Sequence, residues 1–178
     1  MSNYKIIFTG PVGAGKTTAI SSISDVPPLL TDEVASDMTR LRKDATTVAM
    51  DFGMMFLEDG ERIHLYGTPG QQRFDFMWDI LCNGSIGLIL LIDNSREHPF
   101  MDMRFFLESF KRFIDETRVV IGVTRTDLSP NPTLNEYHDG LKAMNMNVPV
   151  FEVDARKRRD VVILMESLIY SLDPGLKE

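Results

Sequence analysis

The sequence predicts a doubly wound α/β sandwich: a mostly parallel sheet of about six strands with one antiparallel hairpin, and helices on both faces. Three observations carry this expectation. Short apolar runs alternate with stretches of helical period along the whole chain. The tetrapeptide Glu58-Asp59-Gly60-Glu61 separates two strand-like runs, and its Asp-Gly pair supplies the positive φ angles of a tight hairpin turn. The run Gly87 to Ile92 is apolar without alternation, as expected of a parallel strand buried on both faces.

Taken in order, Tyr4 to Thr9 is a short strand ending in a glycine-rich loop, and Lys16 to Ser24 has helical character. Between Asp25 and Thr46 the period fails, Pro27 and Pro28 interrupt it and charges dominate, so a long mobile loop with room for a helical turn is expected. Thr47 to Leu57 and Arg62 to Tyr66 form the hairpin strands. A short helix is expected over Phe74 to Cys82. Phe100, Met103, Leu107, Phe110 and Ile114 then mark one helix face at steps of three and four. The strand Val119 to Val123, the helix Leu134 to Met144, the strand Val148 to Val153 and the helix Val161 to Leu172 complete the alternation. With no internal repeat and no linker, residues 1–178 are expected to form a single domain whose ligand lies at the carboxyl ends of the strands.

Bulk properties exclude several classes of function. A formal net charge of -7 argues against a phosphate-backbone footprint, so no nucleic-acid partner is expected. Cys82 is the sole cysteine, and His64, His98 and His138 are far apart in sequence, which leaves neither a disulfide framework nor a zinc spacing. No apolar run is long enough to cross a bilayer, residue 2 is serine and no cysteine stands at the C-terminal end. The expectation is a cytoplasmic protein without a direct membrane anchor.

The strongest motif is Gly10-Pro11-Val12-Gly13-Ala14-Gly15-Lys16-Thr17, a P-loop with the required strand before it and helix after it. Its glycines let backbone N–H groups curl around phosphate oxygens at a helix N-terminus. Lys16 brings a point charge to the β and γ phosphates, and the Thr17 hydroxyl is a ligand for Mg²⁺. A simple glycine turn with a solvated lysine would not need both flanking elements.

Further motifs follow at strand ends. Gly67-Thr68-Pro69-Gly70-Gln71-Gln72-Arg73-Phe74 comes directly after the second hairpin strand, and Thr47-Val48-Ala49-Met50-Asp51-Phe52 closes the long loop. Thr124-Arg125-Thr126-Asp127 follows the strand Val119 to Val123, and Val153-Asp154-Ala155-Arg156 follows the last strand. Taken singly, these segments read as a Pro-Gly turn, a β-former start, a surface turn before Pro130 and a solvated basic run.

Together, and in this order, the five segments resemble the motifs of the Ras-like small GTPases of the P-loop NTPase superfamily. The Thr-Pro-Gly-Gln stretch, the Ala-Met-Asp-Phe stretch and the missing lipid signals look most like the bacterial gliding-motility type, with Arf-like proteins as distant relatives. The resemblance implies a GTP-binding switch that holds GTP or GDP with Mg²⁺ and hydrolyses GTP slowly. It implies nucleotide contacts at Gly10, Val12, Gly13, Ala14, Gly15, Lys16, Thr17 and Thr18. It implies that guanine is read by Thr124, Arg125 and Asp127 and by Asp154, Ala155 and Arg156, the Asp127 carboxylate accepting both the ring N–H and the exocyclic amine of guanine. Catalysis falls to Gln71 beside the attacking water, with the Gly70 N–H and Lys16 on the γ-phosphate. Thr17 and Thr47 are the implied metal ligands.

Two departures stand out. Gly67 occupies the position of the family's metal-supporting aspartate, for which Asp93 is the candidate substitute, and β-branched Val12 crowds the site of the attacking water. Such GTPases commonly act on a regulatory or effector protein, here by resemblance one of roadblock type. The alternative expectation is a guanine-nucleotide-binding scaffold deficient in hydrolysis.

Overall fold

The computed structural model describes residues 3–30, 50–57, 60–69 and 76–172. Thr47, Gly70, Gln71, the first half of the hairpin turn and most of the long loop therefore lie outside the described residues. Six strands, β1 (Asn3–Thr9), β2 (Asp51–Phe56), β3 (Arg62–Gly67), β4 (Gly87–Asp93), β5 (Val119–Thr124) and β6 (Val150–Glu152), form one sheet in the order β2-β3-β1-β4-β5-β6. Every neighbouring pair is parallel except β2 and β3, the expected antiparallel hairpin. The described helices are α1 (Lys16–Ile23), α2 (Phe76–Cys82), α3 (Pro99–Ser109), α4 (Lys111–Glu116), α5 (Leu134–Ala143) and α6 (Arg158–Leu172).

The period-two alternation of strand side chains divides the interior in two. Ile6, Phe8, Ile89 and Leu91 face α1 and α6, where they meet Ile20, Ile23, Leu164 and Leu168. Ile7, Leu88, Leu90 and Ile92 face the other way, toward Trp78, Phe106, Phe110 and Tyr137. All seven residues of β4 are buried, which accounts for its unbroken apolar run. The strand order reverses direction at β1 and β4, and the crevice outside their carboxyl ends is where ligands of such sheets bind.

Four local differences from the sequence expectation have physical reasons. The helix face running from Phe100 to Ile114 is delivered by two helices. At Phe110 the backbone leaves helical geometry, with ψ at 10°, and the buried ring stacks on Trp78 at a centroid distance of 4.8 Å. β6 is confined to three residues because Pro149 offers its carbonyl to Ile121 N–H at 2.9 Å but has no N–H to return. The start of the long loop is laid along β2: Asp25 N–H bonds Met54 O at 2.7 Å, and Leu29 and Phe52 exchange backbone bonds at 2.9 and 3.0 Å. This covers part of an otherwise open sheet edge. α6 starts at Arg158, whose guanidinium reaches Ile23 O at 2.9 Å and Asp25 Oδ1 at 2.8 Å, so part of the basic run is structural.

Close packing of α6 on the sheet depends on strand glycines. A Cβ on Gly122 would lie 2.8 Å from Leu164 Cδ1, 2.9 Å from Leu91 Cδ2 and 3.0 Å from Val153 Cγ2. Gly122→Ala should therefore destabilise the protein by about 1–3 kcal/mol through overpacking. Gly140→Ala, inside α5 with no neighbour closer than 3.7 Å, should instead stabilise it by up to about 1 kcal/mol. Urea denaturation of both variants at constant m-value checks the contrast.

Candidate functional site

β1 delivers the chain to the crevice, and the glycine loop begins where only glycine fits. Gly10 has φ 140°, and a Cβ there would lie 2.1 Å from the Leu91 carbonyl oxygen of β4. Gly15 enters α1 in left-handed geometry at φ 101°, and among the described residues no side chain caps the helix. The first N–H groups of α1, from Lys16 to Thr18, have no partner within the helix and form an anion-accepting end.

Lys16 is buried beneath this loop and donates from Nζ to Gly10 O and Pro11 O, both at 2.8 Å. Burial pushes its ammonium down from 10.5 to about 8; the Asp51 carboxylate opposes that shift and the positive charge of Arg96 adds to it. Val12 is 57% exposed at the rim of the loop, and Thr18 is exposed as well.

Thr17 faces β2, its hydroxyl donating to Asp51 Oδ2. Asp51 lies directly across the antiparallel ladder from Gly67. Thr68 follows, pinned to the end of β1 by its N–H to Phe8 O at 2.9 Å and by a 2.8 Å hydroxyl contact with Thr9. Asp93, the substitute expected for the missing aspartate at Gly67, is committed elsewhere. Its Oδ1 accepts from Ser95 N–H at 2.9 Å and Ser95 Oγ at 2.6 Å, and its Oδ2 binds Arg125 Nη1 at 2.8 Å.

On the opposite side of α1's N-terminus lies a cavity of about 600 Å³, lined among others by Gly15, Thr18, Thr124, Arg125, Asp127 and Ala155. The structure thus brings together the loop, the segment after β5 and the segment after β6. Thr124 Oγ1 ties them by donating to Ala14 O at 3.0 Å and Ile92 O at 3.2 Å. Arg125 has φ 59° and turns its guanidinium onto Asp93, leaving Asp127 exposed at the cavity and accepting no hydrogen bond from the described residues.

Asp154 is gripped by Arg156 through Nε to Oδ1 and Nη2 to Oδ2, both 2.8 Å, which holds its carboxyl well below the usual carboxylate range. The Asp154 N–H binds Asp160 Oδ2 at 2.9 Å, so α6 fixes this loop. A Cβ on Gly15 would be 3.0 Å from Ala155 Cβ, a measure of how closely the two loops approach.

Sequence reasoning missed the bracing of the loop that follows β5. Buried Asn94 donates from Nδ2 to Ser129 O at 2.7 Å and Pro132 O at 3.1 Å, and accepts from the fully buried Tyr137 hydroxyl at 2.8 Å. An asparagine directly after a buried strand was the available signal. Two larger depressions, about 900 and 860 Å³, contain none of the expected site residues. Among the described residues no group of three or more His, Cys, Asp or Glu side chains could enclose a metal ion. No described helix is long and apolar enough to cross a membrane.

Comparison with known proteins gives a family and several relatives. The profile of a family described as "conserved hypothetical ATP binding protein" matches residues 28–169, beginning beyond the glycine loop. An uncharacterized protein of Methanocaldococcus jannaschii, MJ1339, is 24% identical over 136 residues, covering 75% of this chain and 77% of that protein. The Ras-related protein RabC of Dictyostelium discoideum is 21% identical over 180 residues, 98% of this chain and 86% of that protein. Ras-related protein Rab-8A of Bos taurus is 24% identical over 179 residues, again 98% of this chain and 78% of that protein.

Burying a cation at Lys16 has a measurable consequence for the nucleotide-free protein. Its folded pKa, about 8, lies below the usual 10.5, so the unfolded chain binds more protons between those values and this group's contribution to stability rises with pH across that window. Below pH 8 the cost of the buried charge is fully present. Lys16→Met should accordingly be the more stable protein at pH 7, by on the order of a few kcal/mol, and should lose that advantage by about pH 10.5. Denaturant titrations of both proteins at pH 7, 9 and 10.5 test it.

Proposed function

Because the chain belongs to the family described as conserved hypothetical ATP binding proteins, we propose that it is a nucleotide-dependent switch and that its nucleotide is GTP or GDP rather than ATP. The observation that carries this reading is the exposed Asp127 carboxylate, without a described hydrogen-bond donor, at a cavity shared with the glycine loop. A carboxylate accepts two N–H groups from guanine, whereas adenine presents no such pair of donors. The Ras-related names of RabC and Rab-8A agree with that assignment.

In this reading the α1 N-terminus and the glycine loop bind the phosphates, and Lys16 exchanges its bonds to Gly10 O and Pro11 O for phosphate oxygens. Thr124 and Ala155 hold the base pocket against the phosphate loop. Mg²⁺ fits the donor set: the Thr17 hydroxyl beside the Asp51 carboxylate offers the hard oxygens that this ion takes together with nucleotide phosphates. Bound there, the ion would neutralise phosphate charge. Thr47 would serve as its second hydroxyl ligand, Gln71 would orient the attacking water, and the Gly70 N–H would read the γ-phosphate. The segments around 25–47 and 67–82 would respond to the presence of the γ-phosphate, and a cytoplasmic partner protein, of roadblock type by resemblance, would sense the difference.

Competition against a fluorescent GDP analogue tests the base assignment. GTP and GDP should displace it at least about 100-fold more effectively than ATP, and Asp127→Asn should lose guanine affinity while gaining xanthine affinity. Equal displacement by ATP overturns the guanine reading.

Turnover should be slow, on the order of 10⁻⁴ to 10⁻³ per second, the range of unassisted small GTPases. Single-turnover phosphate release should fall further in Gln71→Ala and rise in Val12→Gly, which uncrowds the loop rim. GTP that stays bound and intact would leave the hydrolysis-deficient scaffold.

A further inference from the structure

We propose that Asp51 supplies, from β2, the Mg²⁺-positioning carboxylate that Gly67 cannot supply from β3. The inference rests on the nucleotide reading above and adds a residue to it. Asp51 and Gly67 are direct partners in the antiparallel β2–β3 ladder, so they leave the sheet side by side at its carboxyl-terminal rim. A Cβ built on Gly67 would lie 3.2 Å from Asp51 Cβ and 3.3 Å from Asp51 Oδ2. The space that a side chain at 67 would enter is thus already held by the Asp51 carboxylate. Ile20 closes it from α1, with Cδ1 3.1 Å from the same point.

The carboxylate is also directed at the right group. Its Oδ2 accepts the hydroxyl proton of Thr17, the residue that follows the P-loop lysine and stands ready as a metal ligand. Its negative charge reaches Lys16, whose ammonium it favours against desolvation. A carboxylate that orients a ligating hydroxyl and adds charge beside the cation is the kind of support whose loss typically costs 10–100-fold in metal affinity. Asp93 is directed elsewhere, its oxygens bonded by Ser95 and Arg125, whereas Asp51 bonds Thr17 itself. Asp51 is therefore a positioning residue, and the absence of a side chain at Gly67 is the condition that admits it.

The measurement is Mg²⁺-dependent retention of a fluorescent GDP, recorded as the Mg²⁺ concentration that half-maximally slows release, alongside GDP affinity in EDTA. In Asp51→Asn that concentration should rise about 10–100-fold, while affinity in EDTA stays level or tightens because a negative charge near the phosphates is gone. A merely structural tie between α1 and β2 would not split the two readouts in this way, because the amide still accepts from Thr17. Gly67→Asp alone should not improve Mg²⁺ retention, since it forces a second carboxylate against the first. The exchange variant Asp51→Gly/Gly67→Asp should restore it to within about threefold of wild type, and keeps the proposal testable should Asp51→Asn fold poorly.

Unchanged Mg²⁺ dependence in Asp51→Asn, or tighter Mg²⁺ retention in Gly67→Asp, overturns the proposal while leaving nucleotide binding intact. A wild-type protein that binds no guanine nucleotide, with or without Mg²⁺, overturns the functional reading and this inference with it.

Discussion

Among the described glycines the tightest approach is that of the glycine loop to β4, where Gly10 leaves no room for a side chain against the Leu91 carbonyl. Everything at the strand ends is built on that contact. With β1 and β4 held together, the Thr124 hydroxyl can reach both Ala14 O and Ile92 O, so one side chain joins the glycine loop, β4 and β5. Thr68 performs the matching task on the other flank by bonding Phe8 and Thr9. Both threonines and Thr9 are buried, so these hydrogen bonds sit in low dielectric and are costly to leave unmade.

Charge is distributed around this frame with little redundancy. Among the described residues Lys16 has no carboxylate in hydrogen-bond contact and relies on two backbone carbonyls, with Asp51 acting on it at longer range. Desolvation outweighs that help, which is why its pKa falls. Such a site favours an anion that can take over the lysine's donors. The Arg125–Asp93 and Arg156–Asp154 pairs are of another kind: each fixes a loop beside the cavity at the α1 N-terminus, and both arginine side chains remain about half or more exposed. Their value is geometric more than energetic, as partly exposed ion pairs contribute little to stability.

The parts of this architecture legible in the sequence are those written in local signals. Apolar period gave every described strand and most helix limits, and the glycine-rich loop announced the crevice. What escaped depends on pairing between distant segments. Asp51 appeared only as part of a motif-like stretch, because nothing local states which β3 residue it faces. Local signals point instead to Asp93, a carboxylate at a strand end, which the fold pairs with Arg125. The bracing by Asn94 and Tyr137 spans 43 positions, and the break at Phe110 falls where its ring stacks on Trp78, a long-range contact that helix periodicity does not encode.

Moving a carboxylate from β3 to β2 makes the site depend on strand register. A slip of one residue would turn Asp51 to the opposite face of the sheet. The register is defended from both sides. On the face away from α1, Phe52 packs across the ladder on Tyr66, with ring centroids 5.1 Å apart, and on His64 at 5.8 Å. On the α1 face, Gly53 and Gly67 let the helix lie directly on the strands: a Cβ on Gly53 would be 2.8 Å from Ile20 Cγ2, and one on Gly67 3.1 Å from Ile20 Cδ1. Any other alignment would drive a side chain of β2 into α1. The two glycines and the aromatic cluster thus select the single register in which Asp51 stands opposite Gly67 and within reach of Thr17, so the packing that joins α1 to the sheet edge also determines where the carboxylate is delivered.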